Sequence, residues 1–67
     1  MARVAMIHPD TLFSPAELSE FLQIPEETLS KWRYRRTGPK FMRMGKHVRY
    51  RMSDVRTWMD SIRDAQG

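Results

Sequence analysis

Sixty-seven residues without a cysteine, carrying twelve Lys or Arg against eight Asp or Glu, describe one small domain with a formal net charge of +4. Lack of cysteine excludes a disulfide framework and a thiolate metal site. No segment reads as a leader or approaches the ~20 apolar residues of a membrane helix, so a cytoplasmic location with no membrane partner is expected.

Residues 1–11 show no hydrophobic period and are expected to form a flexible arm. Ser14-Pro15-Ala16-Glu17 then reads as a helix start. Ser14 caps free N–H groups, Pro15 suits the first helical position, and Glu17 closes a capping box. Leu18, Phe21 and Leu22 share one face of this first helix, with Phe13 or Leu12 as its staple. Pro25 ends the pattern at Gln23-Ile24 and permits a second helix from Glu26 to Tyr34 or Arg35, with two carboxylates in its first turn. Leu29 and Trp32 lie on one side of it, and Thr28, Lys31 and Arg35 on another, at spacings of three and four.

Gly38-Pro39 closes the helical part. Phe41–Met44 and His47–Arg51 read as two strands, with Gly45 supplying the positive φ of a tight hairpin. Val48 and Tyr50 face one way and His47, Arg49 and Arg51 the other; Phe41 is expected inward and the hairpin tip exposed. Ser53 is the expected cap of a last helix starting at Asp54, with Val55, Trp58, Met59 and Ile62 at i, i+3, i+4 and i+7. The expected fold is therefore mainly α with a β-hairpin wing: helix, helix, hairpin, helix, a winged helix-turn-helix. It occupies residues 12–63, with 64–67 frayed.

Charge is distributed unevenly along this plan. Residues 1–30 carry one base and five acids, residues 52–67 two bases and three acids, and residues 31–51 nine bases and no acid. Such a patch attracts a polyanion through its long-range field and is weakened by salt. The second helix has the diameter of a DNA major groove, so Thr28 and Lys31 with Arg35 are its candidate base-reading residues. Arg33 and Tyr34 flank them as backbone contacts, and Arg36 and Lys40 are candidates for phosphate. On the wing, Arg43, Lys46, His47, Arg49 and Arg51 are the candidate DNA contacts. Arg is drawn to the negative potential of a narrow minor groove. Met42 and Met44 fill gaps or form a small self-association patch.

An enzyme is not expected. There is no nucleophile–base pair, no paired carboxylates, no phosphate-cradling glycine loop and no metal cluster. His8 and Asp10 are close in sequence, but lie in the arm, where nothing holds a catalytic geometry. No cofactor is expected.

Several stretches carry a family resemblance. They are Phe13-Ser14-Pro15-Ala16-Glu17-Leu18, Phe21-Leu22-Gln23-Ile24, Thr28-Leu29-Ser30-Lys31-Trp32-Arg33 and Gly38-Pro39-Lys40-Phe41. Met44 to Tyr50, Ser53-Asp54-Val55 and Trp58-Met59 complete the set. In this order they resemble the small winged helix-turn-helix domains of the MerR-like excisionase family. The resemblance implies double-stranded DNA as ligand and the second helix as recognition element through Thr28, Lys31 and Arg35. It implies wing contacts through Lys46, His47 and Arg49. It also implies the role of a phage or prophage excisionase, or recombination directionality factor. Such a protein binds repeated sites beside an attachment site, bends the DNA, and helps an integrase, with further copies of itself along the DNA. A small transcriptional regulator of the same fold is the alternative, and a protein–protein adaptor a lower one. Two positions depart from the pattern: Gln23 stands where the family usually has glycine, and Pro25 where Ser or Thr caps the second helix. Loss of that cap costs about 1 kcal/mol.

Overall fold

The computed structural model describes residues 7–66, with side chains as far as Arg63. Its elements run β1 (Leu12–Phe13), α1 (Pro15–Leu22), α2 (Glu26–Arg35), β2 (Met42–Met44), β3 (His47–Arg51) and α3 (Met52–Gln66). This is the expected order of three helices and a hairpin, with one addition. Leu12 and Phe13 form a short strand that pairs antiparallel with β3, so the sheet has three strands in the order β1-β3-β2.

α1 is capped as its sequence dictates. Glu17 N–H donates to Ser14 Oγ at 3.1 Å, and Ser14 N–H donates to Glu17 Oε1 at 2.9 Å. Its end is a left-handed residue, Gln23, at φ 58° and ψ 44°. The N–H of Ile24 reaches back to the Ser19 carbonyl at 3.1 Å, as in a Schellman motif, and the Ser19 hydroxyl donates to the Ile24 carbonyl at 2.6 Å. Ser19 thus closes the turn around a residue that glycine would fill without strain. α2 starts behind Pro25 with no side-chain cap. It ends on a second left-handed residue, Arg36 at φ 60°, with Thr37 N–H bonded to the Trp32 carbonyl at 2.8 Å.

Leu18, Leu29, Tyr50 and Val55 form the buried centre, one or more from each of the three helices and from β3. Phe13, Phe21, Leu22, Ile24, Trp32, Phe41, Val48 and Met59 pack around them. Phe13 stacks on Phe21 with ring centroids 5.3 Å apart, which ties β1 to α1. Trp32 meets Trp58 at 5.4 Å and joins α2 to α3. Each fully buried aliphatic or aromatic side chain here contributes roughly 1.5–3 kcal/mol. Ile62, expected on the buried stripe of the last helix, lies at the surface. Gly38 adopts φ +80°, and a Cβ there would stand 2.8 Å from Trp32 Cε3. Only glycine lets the chain leave α2 so close to that ring.

The last helix begins at Met52 rather than at a Ser53 cap. Its first N–H groups find partners across the chain instead: Met52 N–H donates to the Thr11 carbonyl at 2.8 Å, and Ser53 N–H to the Pro9 carbonyl at 2.9 Å. With these donors satisfied by backbone, no side-chain cap is needed. The same bonds hold a turn at His8–Thr11, which Thr11 N–H closes on the His8 carbonyl at 3.0 Å. Residues 1–6 of the expected arm, and Gly67, lie outside the described residues.

Candidate nucleic-acid interface

Leu29 is the buried residue of α2, and a helix turns by about 100° per residue, so Glu27, Lys31 and Tyr34 stand on the side opposite. All three are exposed, and Tyr34 is 90% exposed. Ser30 and Arg35 flank them, and Ser30, Lys31, Tyr34 and Arg35 line a shallow depression along the helix. Thr28 is half-buried at the edge of this face rather than at its middle. Glu27 and Ser30 were not among the residues expected from sequence. Taking Leu29 as the inward direction and counting at the helical period finds both.

Arg33 turns the other way. It is half-buried, and its Nη1 donates to the hydroxyl of Tyr50 at 2.8 Å. Beyond α2, Arg36, Lys40 and Arg43 with Gly38, Pro39 and Phe41 line a concavity between the helix end and the wing. The Arg43 guanidinium lies 5.8 Å from the centre of the Phe41 ring, within cation–π range.

The wing turns at Gly45-Lys46, with Gly45 at φ 63° in the first central position, as a type II′ turn requires. Lys46 and His47 are exposed at the tip. Register then divides the remaining cations. Arg43 pairs with Val48, and both line a groove with Ser30, Arg33 and Tyr34, so they face α2. Met42 pairs with Arg49, Met44 with His47 and Leu12 with Arg51; these six occupy the opposite face of the sheet. Arg49 is half-buried there, with Nη1 bonded to the Val48 carbonyl at 2.7 Å. Arg51 reaches the Met42 sulfur at 3.8 Å. Leu12 and Met44 are partly exposed beside them.

Electrostatically the region is strongly positive. The nine bases of residues 31–51 have no acid in their segment. Among the described residues no basic side chain of that segment forms an ion pair; the recorded one joins Arg63 to Asp60 at 3.6 Å. Lys31 and Arg35 on one helical face can donate to guanine acceptors or phosphate, and the Tyr34 hydroxyl can do either. Glu27 is the single acid of that face and can only accept, as from cytosine N4. Among the described residues no group of three or more His, Asp or Glu is placed to hold a metal ion, and no helix is long and apolar enough to cross a membrane.

Residues 12–63 match a family described as "Helix-turn-helix domain". No curated protein matches the chain.

Proposed function

Since the chain belongs to this winged helix-turn-helix family, with which excisionases and MerR-like regulators are associated and whose domains bind DNA rather than catalyse, we propose that it is a sequence-specific double-stranded DNA-binding protein acting as an excisionase. In this reading α2 enters the major groove with Lys31, Tyr34 and Arg35 toward the bases and Thr28 at the margin. Arg36, Lys40 and Arg43 hold phosphates where the chain leaves the groove. Lys46 and His47 carry the wing to the neighbouring minor groove, and Arg49 and Arg51 extend its positive field.

The observation that carries the reading is the exposed side of α2: Lys31 and Arg35, with Glu27 as the single acid, on a face opposite Leu29 that runs into a basic loop and wing tip. The described protein measures 33 × 25 × 17 Å, about one turn of duplex. A module of that reach makes few contacts, so specificity is assembled from several copies on adjacent sites or with an integrase. Bending of the DNA would bring those copies and the integrase together.

Mobility-shift and footprinting assays on the DNA flanking the protein's own gene, at two salt concentrations, test this. The excisionase role predicts several evenly spaced protected sites and the retarded mobility of bent DNA. One protected operator at a promoter makes the protein a transcriptional regulator instead. Sequence-independent binding that vanishes with salt removes both.

A further inference from the structure

Among the described residues, one side-chain hydrogen bond joins α2 to the sheet, from Arg33 Nη1 to the Tyr50 hydroxyl at 2.8 Å across seventeen residues of chain. Its surroundings set it apart from a surface contact. Tyr50 is 1% exposed and sits in the middle strand, paired with Phe13 and tilted against Phe41 at 6.2 Å. No buried side-chain polar atom among the described residues lacks a partner, and for the Tyr50 hydroxyl that partner is Arg33. On α2, Arg33 lies one residue from the exposed Tyr34 but turned toward Leu29, so its guanidinium serves the interior.

We propose that Arg33 is a positioning residue: it latches the recognition helix to the wing through Tyr50 and does not itself hold a DNA phosphate. The proposal rests on the DNA-binding reading above. α2 and the wing tip present their cations on separate elements, and one duplex can be met by both only at a set angle between them. The polypeptide joining them, residues 36–41, is irregular. Val48 and Arg43 of the wing line a groove with Ser30, Arg33 and Tyr34 of α2, while a directional bond from a planar guanidinium to a buried hydroxyl sets the rotation of the two elements. Breaking it leaves every phosphate contact available but no longer preorganised, so affinity falls while the number of released counterions does not.

That separation is measurable. DNA affinity is determined across a salt series for the full chain, Arg33→Gln, Tyr50→Phe and the double variant, with Lys31→Ala as the reference for a direct contact. Circular dichroism establishes that each is folded at the assay temperature. Arg33→Gln and Tyr50→Phe should each weaken binding about tenfold, and the double variant should be no weaker than the worse single one, because both remove one bond. Their plots of log K against log salt should keep the wild-type slope, whereas Lys31→Ala should flatten it by about 0.9. A slope lowered by about 0.9 in Arg33→Gln, with Tyr50→Phe binding normally, overturns the latch and makes Arg33 a phosphate contact. If Tyr50→Phe does not fold, the slope of Arg33→Gln alone decides between the two. DNA binding absent from the wild-type chain, with Lys31→Ala indistinguishable from it, overturns the DNA reading and the latch with it.

Discussion

α1 and α2 are neighbours of eight and ten residues, and both end on a left-handed residue that is not glycine. They are held by different means. α1 begins with a reciprocal pair of side chain–backbone bonds within four residues, Ser14 with Glu17. α2 begins at Pro25 without a side-chain cap and is fastened from outside: by Leu29 in the core, Trp32 against Trp58, and Arg33 to Tyr50. A helix secured along its inner side has its outer side free for a ligand. Both helices bury one face, Leu18 on α1 and Leu29 on α2, but α1 adds a side-chain cap of its own and α2 has none.

The contrast breaks first at Gly38. Gly38→Ala puts a Cβ 2.8 Å from Trp32 Cε3 at a residue with φ +80°. It should cost about 3 kcal/mol, summing left-handed strain and overpacking, as seen in urea unfolding. Loss should appear through α2, with the Trp32 fluorescence environment disturbed in the folded state. A cost under about 0.5 kcal/mol would mean that α2 is not fastened at Trp32.

Removing the self-made support is milder. Ser14→Ala should lower stability by about 1 kcal/mol in the same unfolding experiment. Its effect on DNA affinity should be nil where the protein remains folded, since Ser14 caps α1 and lines none of the basic depressions of α2 and the wing described above. An affinity change at full folding would show that α1 also orients the reading surface.

The smallest effects separate the two helix ends. Gln23→Gly relieves the left-handed conformation and should stabilise by about 0.5 kcal/mol once glycine's own entropy is counted. Arg36→Gly should give the same gain by melting temperature, yet weaken DNA binding three- to tenfold and flatten the salt slope by about 0.9, approximations for one lost phosphate contact. Equal binding by both variants would remove Arg36 from the interface.

Much of this architecture was legible in the chain. The capping box at Ser14, the break at Pro25, the hairpin at Gly45 and the apolar faces of α1 and α2 are local patterns, and each appears where expected. β1 was not legible: two residues carry no period, and Leu12-Phe13 becomes a strand only because β3 offers it an edge. The Ser53 cap failed for a related reason, as carbonyls of Pro9 and Thr11 reach the helix start from a distant part of the sequence. At the site, composition alone located the cations in residues 31–51, and helical spacing put Lys31 and Arg35 outward; Thr28, expected beside them, lies at the edge, and Tyr34, expected only as a flank, is exposed.

Sequence by itself therefore determined the order of the three helices and the hairpin, the family, and the segment bearing the charge, because caps, turns, periodicity and composition act within a few residues. Tertiary structure alone decided which cations are free. It turned Arg33 inward to Tyr50, set Arg43 toward α2, and bonded Arg49 to the Val48 carbonyl on the sheet face that strand alternation had already given it. A guanidinium is the same cation in every context; whether it meets solvent, a carbonyl or a buried hydroxyl depends on what the fold brings within hydrogen-bond reach.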